Sequence, residues 1–187
     1  MRSIALAIIL LLGATTAAMA QDSPRGDAAL TYQWVRTNAT PGNCGCFSMN
    51  GGGASVSYNL SSRLAAVAEF SADSASNVFS QGKSLTVTSF MAGARYRLLP
   101  QLARRPHRIE PFVQLLVGAA HAGGGIAGRA DGAYAFASRV GGGIDLPVTS
   151  RIAVRLIQVD YFFTHFTNFT NDHQNNLLLG AGVVFRW

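Results

Sequence analysis

The stretch that decides the fold is LLLGAGVVFRW, residues 177–187. Every second residue from Leu177 to Trp187 is apolar, whereas Gly180, Gly182 and Arg186 fall on the other parity. Successive side chains of a β-strand point to opposite faces, so this alternation predicts a strand with one continuous apolar face. The opposite face carries small residues and a charge. A strand of this kind suits a sheet that has hydrocarbon on one side only.

The same alternation recurs through the rest of the chain. In the strand predicted at 151–163, Gln158 and Asp160 fall out of step with Arg155, and a β-bulge near Ile157 would return all three to one polar face. Most predicted strands approach or exceed the roughly 9 residues that a tilted strand needs to cross a bilayer. Seven strands are predicted before the last one, at 28–36, 53–58, 64–72, 84–96, 111–121, 133–146 and 151–163.

The connectors between these segments alternate in length. Short turns are predicted at 59–63 and 147–150, whereas the connector at 97–109 is long although its place in the order puts it at the same end. Short turns at one end and long loops at the other are typical of outer-membrane barrels. A barrel must close in a bilayer because unpaired backbone groups at a sheet edge are costly there. The long loops are predicted at 37–50, 73–83, 122–132 and 164–174.

The sequence therefore predicts an all-β fold, an eight-stranded antiparallel up-and-down transmembrane β-barrel. Composition agrees, because charged residues are 13% of the chain and apolar residues 49%, whereas soluble proteins carry about 25% charged residues. No segment of the chain after residue 20 is apolar for the roughly 20 residues of a membrane-spanning helix. We expect such a barrel to be monomeric and surrounded by outer-membrane lipids.

The N-terminus predicts export. Arg2 precedes an apolar segment at 4–12, and Ala18-Met19-Ala20 is a small-x-small cleavage site before Gln21. We expect a signal peptide at 1–20, cleaved between Ala20 and Gln21. Residues 21–187 then form a single barrel domain.

Polar residues on the inner parity predict a filled lumen. Eight strands enclose a space that side chains alone can fill. The inward candidates carry both signs of charge, and charges withdrawn from water require partners, so we expect them to pair into a plug. A gated ion path is the alternative. The candidates are Glu69, Arg95, Gln114, Arg139, Asp145, Arg155, Asp160 and Arg186.

The chain resembles the small OmpA-like outer-membrane β-barrel domains of Gram-negative bacteria. The resemblance rests on the signal peptide, on the strand that starts at Pro111-Phe112 and ends GAAH at 118–121, and on the final strand. It implies an outer-membrane location and a structural or surface-interaction role. It also implies that Phe185 and Trp187 form the C-terminal signal read by the barrel assembly machinery, although members of that family usually end in Phe.

Two short motifs point to chemistry that the rest of the sequence does not support. Gly123, Gly125 and Gly128 spell GxGxxG, but no helix is predicted after them, so we interpret the segment as a glycine-rich loop rather than a dinucleotide site. Cys44 and Cys46 lie one residue apart in an exported loop, where a strained disulfide is chemically possible. We expect neither a metal nor a cofactor.

Basic residues crowd the connector between Arg97 and Arg108. They include Arg104, Arg105 and His107. A solvated turn is the simplest interpretation, and contact with anionic lipid or the cell wall is the alternative. Nucleic acid is not expected, because an exported chain rarely meets it and no aromatic residues interleave with these arginines.

Two other functions compete with a structural or interaction barrel. Asp160, His165 and His173 cluster in sequence near the end of the seventh strand, where an acid and a base could serve a barrel enzyme acting on lipid or peptide. A soluble lipocalin-like binder is the second alternative. It would require an apolar interior and a polar exterior, the reverse of the predicted distribution.

Overall fold

In the computed structural model the chain forms a closed barrel of eight antiparallel strands. The structure describes residues 24–37, 47–78, 83–99, 109–124, 133–166 and 172–187. The strands are β1 (Gly26–Arg36), β2 (Ser48–Asn59), β3 (Leu64–Val78), β4 (Lys83–Arg97), β5 (Glu110–Gly124), β6 (Ala133–Pro147), β7 (Ile152–Thr164) and β8 (Gln174–Arg186).

Each strand pairs with its neighbours in sequence, and the barrel closes between β1 and β8. Leu30 lies opposite Val183 in that closing pair, and Asp27 lies opposite Arg186. Closure leaves no strand edge unpaired, which is the condition that hydrocarbon imposes on a sheet. No helix within the described ranges has the length and apolar character needed to cross a membrane.

The strands are staggered as well as closed. Tracing paired residues once around the barrel from Asp27 leads through Val67, Leu116 and Phe162 to Asn176. Asn176 adjoins Leu177, the partner of Arg36, so the trace returns to β1 about ten residues farther along, and the strands must tilt. Side chains that meet inside the barrel therefore come from strands distant in the pairing order.

The outer and inner faces of the barrel wall have the predicted polarity. Outward residues are apolar and exposed, as Leu115 and Phe136 show at 57% and 55%. Inward residues include Arg95, Arg139 and Arg155, which are at most 1% exposed. The predicted eight-stranded barrel is thus confirmed. The soluble lipocalin-like alternative is wrong, because it requires polar residues outside and apolar residues inside.

The predicted bulge in β7 is present. Ile144 of β6 pairs with Ile157, but the next residue, Asp145, pairs with Arg155. Leu156 is the extra residue, and both Leu156 and Ile157 are exposed on the outer face. The insertion changes the parity of β7, so that Arg155, Gln158 and Asp160 all point inward.

Several strands extend farther than the sequence indicated. β2 begins at Ser48 rather than Gly53, β3 continues to Val78, and β5 continues to Gly124. These extensions are rich in Gly, Asn and Ser, which sequence patterns assign to loops, but pairing supplies their backbone hydrogen bonds. Asn50 lies opposite Ser74, and Gly51 opposite Asp73. The predicted loops at 37–50, 73–83, 122–132 and 164–174 were therefore too long.

The two ends of the barrel differ. The short turns at 60–63 and 148–151 lie at one end, together with the closing contact in which Arg25 N–H donates to the backbone oxygen of Trp187 at 2.6 Å. Asn59 N–H donates to the backbone oxygen of Arg25 at the same end. We call this the turn end. The opposite end, where β1, β3, β5 and β7 finish, is the loop end.

Candidate functional site in the barrel lumen

The lumen is filled by polar side chains over the half nearer the turn end. The structure places all eight predicted lumen residues inside the barrel, where each is buried or nearly so. Arg95, Arg139 and Arg155 are among the largest fully buried side chains of the described residues. A buried guanidinium is stable only when carboxylates and amides satisfy its donors. The partners of each arginine therefore define the site.

Three ion pairs, formed by two carboxylates, lie at the turn end. Asp27 accepts from Arg95 Nη1 at 3.3 Å and from Arg97 Nη2 at 2.8 Å. Arg186 donates two bonds to Glu110, at 3.0 and 2.7 Å. The stagger of the strands is what brings β1 to β4 and β5 to β8. These pairs cross-brace strands that share no backbone hydrogen bonds.

Arg155 makes the most complete set of contacts. Its Nε and Nη2 donate to the two oxygens of Asp145 at 2.8 and 3.2 Å, and its Nη1 donates to Gln158 at 2.8 Å. The ring of Phe112 lies between two cations, with its centroid 4.6 Å from Arg155 Cζ and 4.7 Å from Arg95 Cζ. Bidentate pairing and stacking on an aromatic face are the two contacts that a buried guanidinium favours.

Two glutamines connect the arginines to Asp160. Gln114 accepts from Arg95 Nε and Nη2 at 3.3 and 3.2 Å, and its amide donates to Asp160 at 3.2 Å. Gln158 donates to the same carboxylate at 2.6 Å. The amide groups thus carry one continuous hydrogen-bond path across the lumen from Arg95 to Arg155.

Arg139 marks the boundary between the polar and apolar parts of the lumen. It forms an ion pair with Glu69 and donates to Ser71 at 3.4 Å, and its Cζ lies 4.7 Å from the centroid of Phe162. Ser71 is also bonded to the hydroxyl of Ser89 at 2.7 Å. Phe162 belongs to an apolar cluster that fills the lumen toward the loop end. Its other members include Val35, Met49, Met91, Leu116 and Leu178.

Asp73 is an exception to the pairing. It is 1% exposed, and within the described part of the chain neither carboxylate oxygen has a partner at hydrogen-bond geometry. Asn176 Oδ1 and Arg139 Nε are unpartnered in the same sense. The carboxylates toward the turn end thus all have partners, whereas Asp73 does not.

Parity reasoning missed several members of the network. Asp27, Arg97 and Glu110 lie at strand ends just outside the predicted strands, and neither Gln158 nor Phe112 was among the predicted lumen residues. Each of the three charged residues shares the parity of an inward residue two positions away, and that signal could have found them. The prediction of Arg97 as part of the basic connector is wrong, because its side chain binds Asp27 inside the barrel.

The structure separates the three residues proposed for an enzyme. Asp160 is fully buried and bonded to Gln114 and Gln158, whereas His165 and His173 are exposed beyond the loop end of β7 and β8. The two histidines do meet, with 3.2 Å between their Nδ1 atoms. Within the described ranges, no group of three or more His, Cys, Asp and Glu side chains could hold a metal ion.

Some predicted residues lie outside the described residues. They are Ala20 and Gln21 of the cleavage site, Cys44 and Cys46, Gly125 and Gly128, and Arg104, Arg105, His107 and Arg108 of the connector. Gly123 lies in β5 rather than in a loop.

Comparison with known proteins agrees with this geometry. The family described as outer membrane protein beta-barrel domain matches residues 6–185. The chain belongs to this family. The outer-membrane barrel is therefore an integral protein of the Gram-negative outer membrane, with its polar lumen shielded from lipid by the strands. No curated protein sequence matches the chain significantly.

Solved structures share the fold of this outer-membrane barrel at low sequence identity. Neisserial surface protein A is 12% identical with a TM-score of 0.64, over 89% of this chain and 100% of that one. The attachment invasion locus protein Ail of Yersinia pestis, in complex with the heparin analogue sucrose octasulfate, is 15% identical with a TM-score of 0.50, over 86% of this chain and 99% of that one. At these identities the likeness shows the fold alone.

Proposed function

We propose that this outer-membrane barrel is a non-conducting structural and surface-interaction protein, which spans the membrane and presents its loop end to the outside. The observation that carries the proposal is the filled lumen. Arg95, Arg139 and Arg155 point into it and are held by carboxylates and amides. Toward the loop end the apolar cluster occupies the lumen. We expect side chains in both halves to block the passage of hydrated ions.

Orientation follows from the two ends. Short turns lie on the periplasmic side of outer-membrane barrels and longer loops outside, which assigns the turn end to the periplasm. The connector around Arg104, Arg105 and Arg108 is then periplasmic, where we expect a solvated turn, with contact to anionic lipid or the cell wall as the alternative. One chain closes the barrel, so a monomer is sufficient.

The plug is tested by electrical recording in planar lipid bilayers. Purified full-length protein, shown to be folded by a heat-dependent shift in gel mobility, should add no conductance steps to the bare bilayer. The Arg95→Ala variant removes bonds to Asp27 and Gln114, and its conductance should exceed that of wild type if the network blocks the lumen. Regular conductance steps from the wild-type barrel would overturn the proposal.

We also propose that Phe185 and Trp187 form the signal read by the barrel assembly machinery. Phe185 lies on the outer face of β8 and is 46% exposed, and Trp187, the residue after β8, is 57% exposed. Phe185→Ala should lower the amount of folded protein in the outer membrane, while refolding into detergent stays unchanged. Phe136→Ala is the matched control, since Phe136 is an equally lipid-facing aromatic residue on β6. Equal yields from the two variants would contradict the assignment.

The protein should be exported with cleavage of its signal peptide. The signal at 1–20 should be removed in the cell, and the mass of the mature protein should place its first residue at Gln21.

Barrels of this family are typically non-enzymatic. We propose the same here because Asp160 serves the lumen network. An intact lipid hydrolase or protease activity that disappears in Asp160→Asn, with the folded fraction preserved, would contradict this.

A further inference from the structure

Two histidines face each other at the loop end of the barrel. Thr164 of β7 pairs with Gln174 of β8, and His165 and His173 are the next residues beyond this pair. The backbone of His165 is fixed because its N–H donates to the carbonyl of Phe136 at 3.0 Å. Both histidines are exposed. His165 therefore stands on anchored backbone, and both rings lie at a surface that metal ions can reach.

The distance between the two rings suits a shared metal ligand. The Nδ1 atoms are 3.2 Å apart, and the ring centroids are 5.1 Å apart at an interplanar angle of 41°. Zinc binds histidine nitrogen at about 2.0–2.1 Å in tetrahedral geometry, which places two such nitrogens about 3.3–3.4 Å apart. The observed separation needs to change by only a few tenths of an ångström for both nitrogens to bind one ion.

Surrounding contacts hold the two strand ends together. The side chain of Gln174 accepts from Thr164 Oγ1 at 3.2 Å and from Phe166 N–H at 2.9 Å, and its amide donates to the Phe166 carbonyl at 2.9 Å. The ring of His173 also contacts Phe163, with centroids 5.8 Å apart. A metal site is stronger when its ligands are fixed before the ion arrives. Gln174 and Phe163 provide that support here.

We propose that His165 and His173 form a two-histidine site for a divalent transition metal, with zinc as the ion that fits the geometry. Binding requires a lone pair on both Nδ1 atoms. The proton that the hydrogen-bonded pair shares must therefore move to Nε2 of the ring that carried it. The ion keeps open coordination positions, which water or a ligand from another molecule fills. The barrel thus carries a metal-dependent contact point at its external surface.

Calorimetric titration with zinc chloride alone tests the site on the full-length protein folded in detergent. Wild type should bind zinc saturably, and His165→Asn and His173→Asn should each weaken binding at least tenfold, because one ligand of the pair is lost. His121→Asn is the matched control, since His121 lies in β5 against Tyr134, away from the pair. Equal affinity in all four proteins, or no saturable binding by wild type, would overturn the proposal.

X-ray absorption at the zinc edge gives a second readout that does not depend on any variant. The wild-type protein loaded with one equivalent of zinc should show two imidazole nitrogens at about 2.0 Å. Oxygen ligands alone, or a single imidazole, would contradict the site. The heat-dependent gel shift of each variant confirms that the barrel is intact, so that lost binding reports the ligand and not the fold.

Discussion

The two halves of the lumen are built on different principles. Toward the turn end the interior is ionic, and Arg155 has both Asp145 and Gln158 as partners. Toward the loop end the interior holds an apolar cluster, with Leu178 and Phe162 among its members, beside uncharged polar side chains such as Asn176. Asp73 lies buried without a partner of hydrogen-bond geometry among the described residues. The difference teaches that this barrel tolerates buried charge where an adjacent strand or the stagger of the strands supplies a counter-charge.

The largest effect is expected in the ionic half. Arg155→Ala leaves the carboxylate of Asp145 buried without its bidentate partner and removes the stacking on Phe112. Breaking a buried pair from one side costs about 3–5 kcal/mol. Guanidinium unfolding in detergent micelles should show a loss of that size. The control is Arg151→Ala, an exposed turn arginine, which should change stability by less than about 0.5 kcal/mol. Similar losses from both variants would contradict the ionic role.

The apolar half should respond to cavity formation instead. Leu178 is fully buried in the cluster, and Leu178→Ala should cost about 3 kcal/mol. Leu177, the next residue on β8, is 44% exposed on the outer face. Leu177→Ala should cost clearly less, because lipid can fill the space that the side chain leaves. The same unfolding measurement compares them, and a larger loss from the outer variant would show that the assigned faces are wrong.

The next largest loss of stability is expected where a glycine packs against the network and leaves no space for a Cβ. A Cβ added at Gly141 would overlap the backbone oxygen of Val159 and the carboxylate of Asp160. Gly141→Ala should therefore destabilise the barrel by about 2 kcal/mol. Gly52 is exposed, and its nearest neighbour would be the Thr31 carbonyl at 3.3 Å. Gly52→Ala should be nearly neutral in the same assay. If Gly141→Ala left stability unchanged, the structure around Asp160 would have room for the added methyl group.

The smallest effect has the opposite sign. Asp73→Asn removes a buried charge that lacks a hydrogen-bond partner of suitable geometry, so it should stabilise the barrel by about 1 kcal/mol. Asp145→Asn should destabilise it, because Arg155 then loses its carboxylate. Unfolding midpoints of the two variants should move in opposite directions. If both unfolding midpoints moved in the same direction, the paired and the unpaired carboxylate would not differ in their effect on stability.

The sequence pattern predicts the strands of the barrel wall and the face on which each side chain lies, but not which side chains pair inside the lumen. Alternation along each strand is local, so the inward direction of Arg95, Arg139 and Gln114 follows from parity, as does the bulge beside Ile157. Which side chains meet depends on the stagger of the strands, and the sequence of one strand alone does not determine that stagger. The pairing of Asp27 with Arg97 and of Glu110 with Arg186 could not be predicted for that reason.

The loop-end extensions were missed for a different reason. The stretch from Ser48 to Gly52 carries Gly and Asn, which favour turns locally, yet its backbone is paired to β1 and β3. Tertiary pairing overrides local preference there. The missed extensions also hid Asp73, which shares the parity of Glu69 and Ser71 but had been assigned to a loop.

The most direct test of the ionic half is a double-mutant cycle on Arg155 and Asp145, measured by guanidinium unfolding of the full-length barrel in detergent. Arg155→Met alone leaves a buried unpaired carboxylate, and adding Asp145→Asn removes that charge. The double variant should therefore be more stable than the Arg155→Met single variant, although it carries one more substitution. Strictly additive losses would contradict the claim that paired charges inside the lumen hold this half of the barrel together.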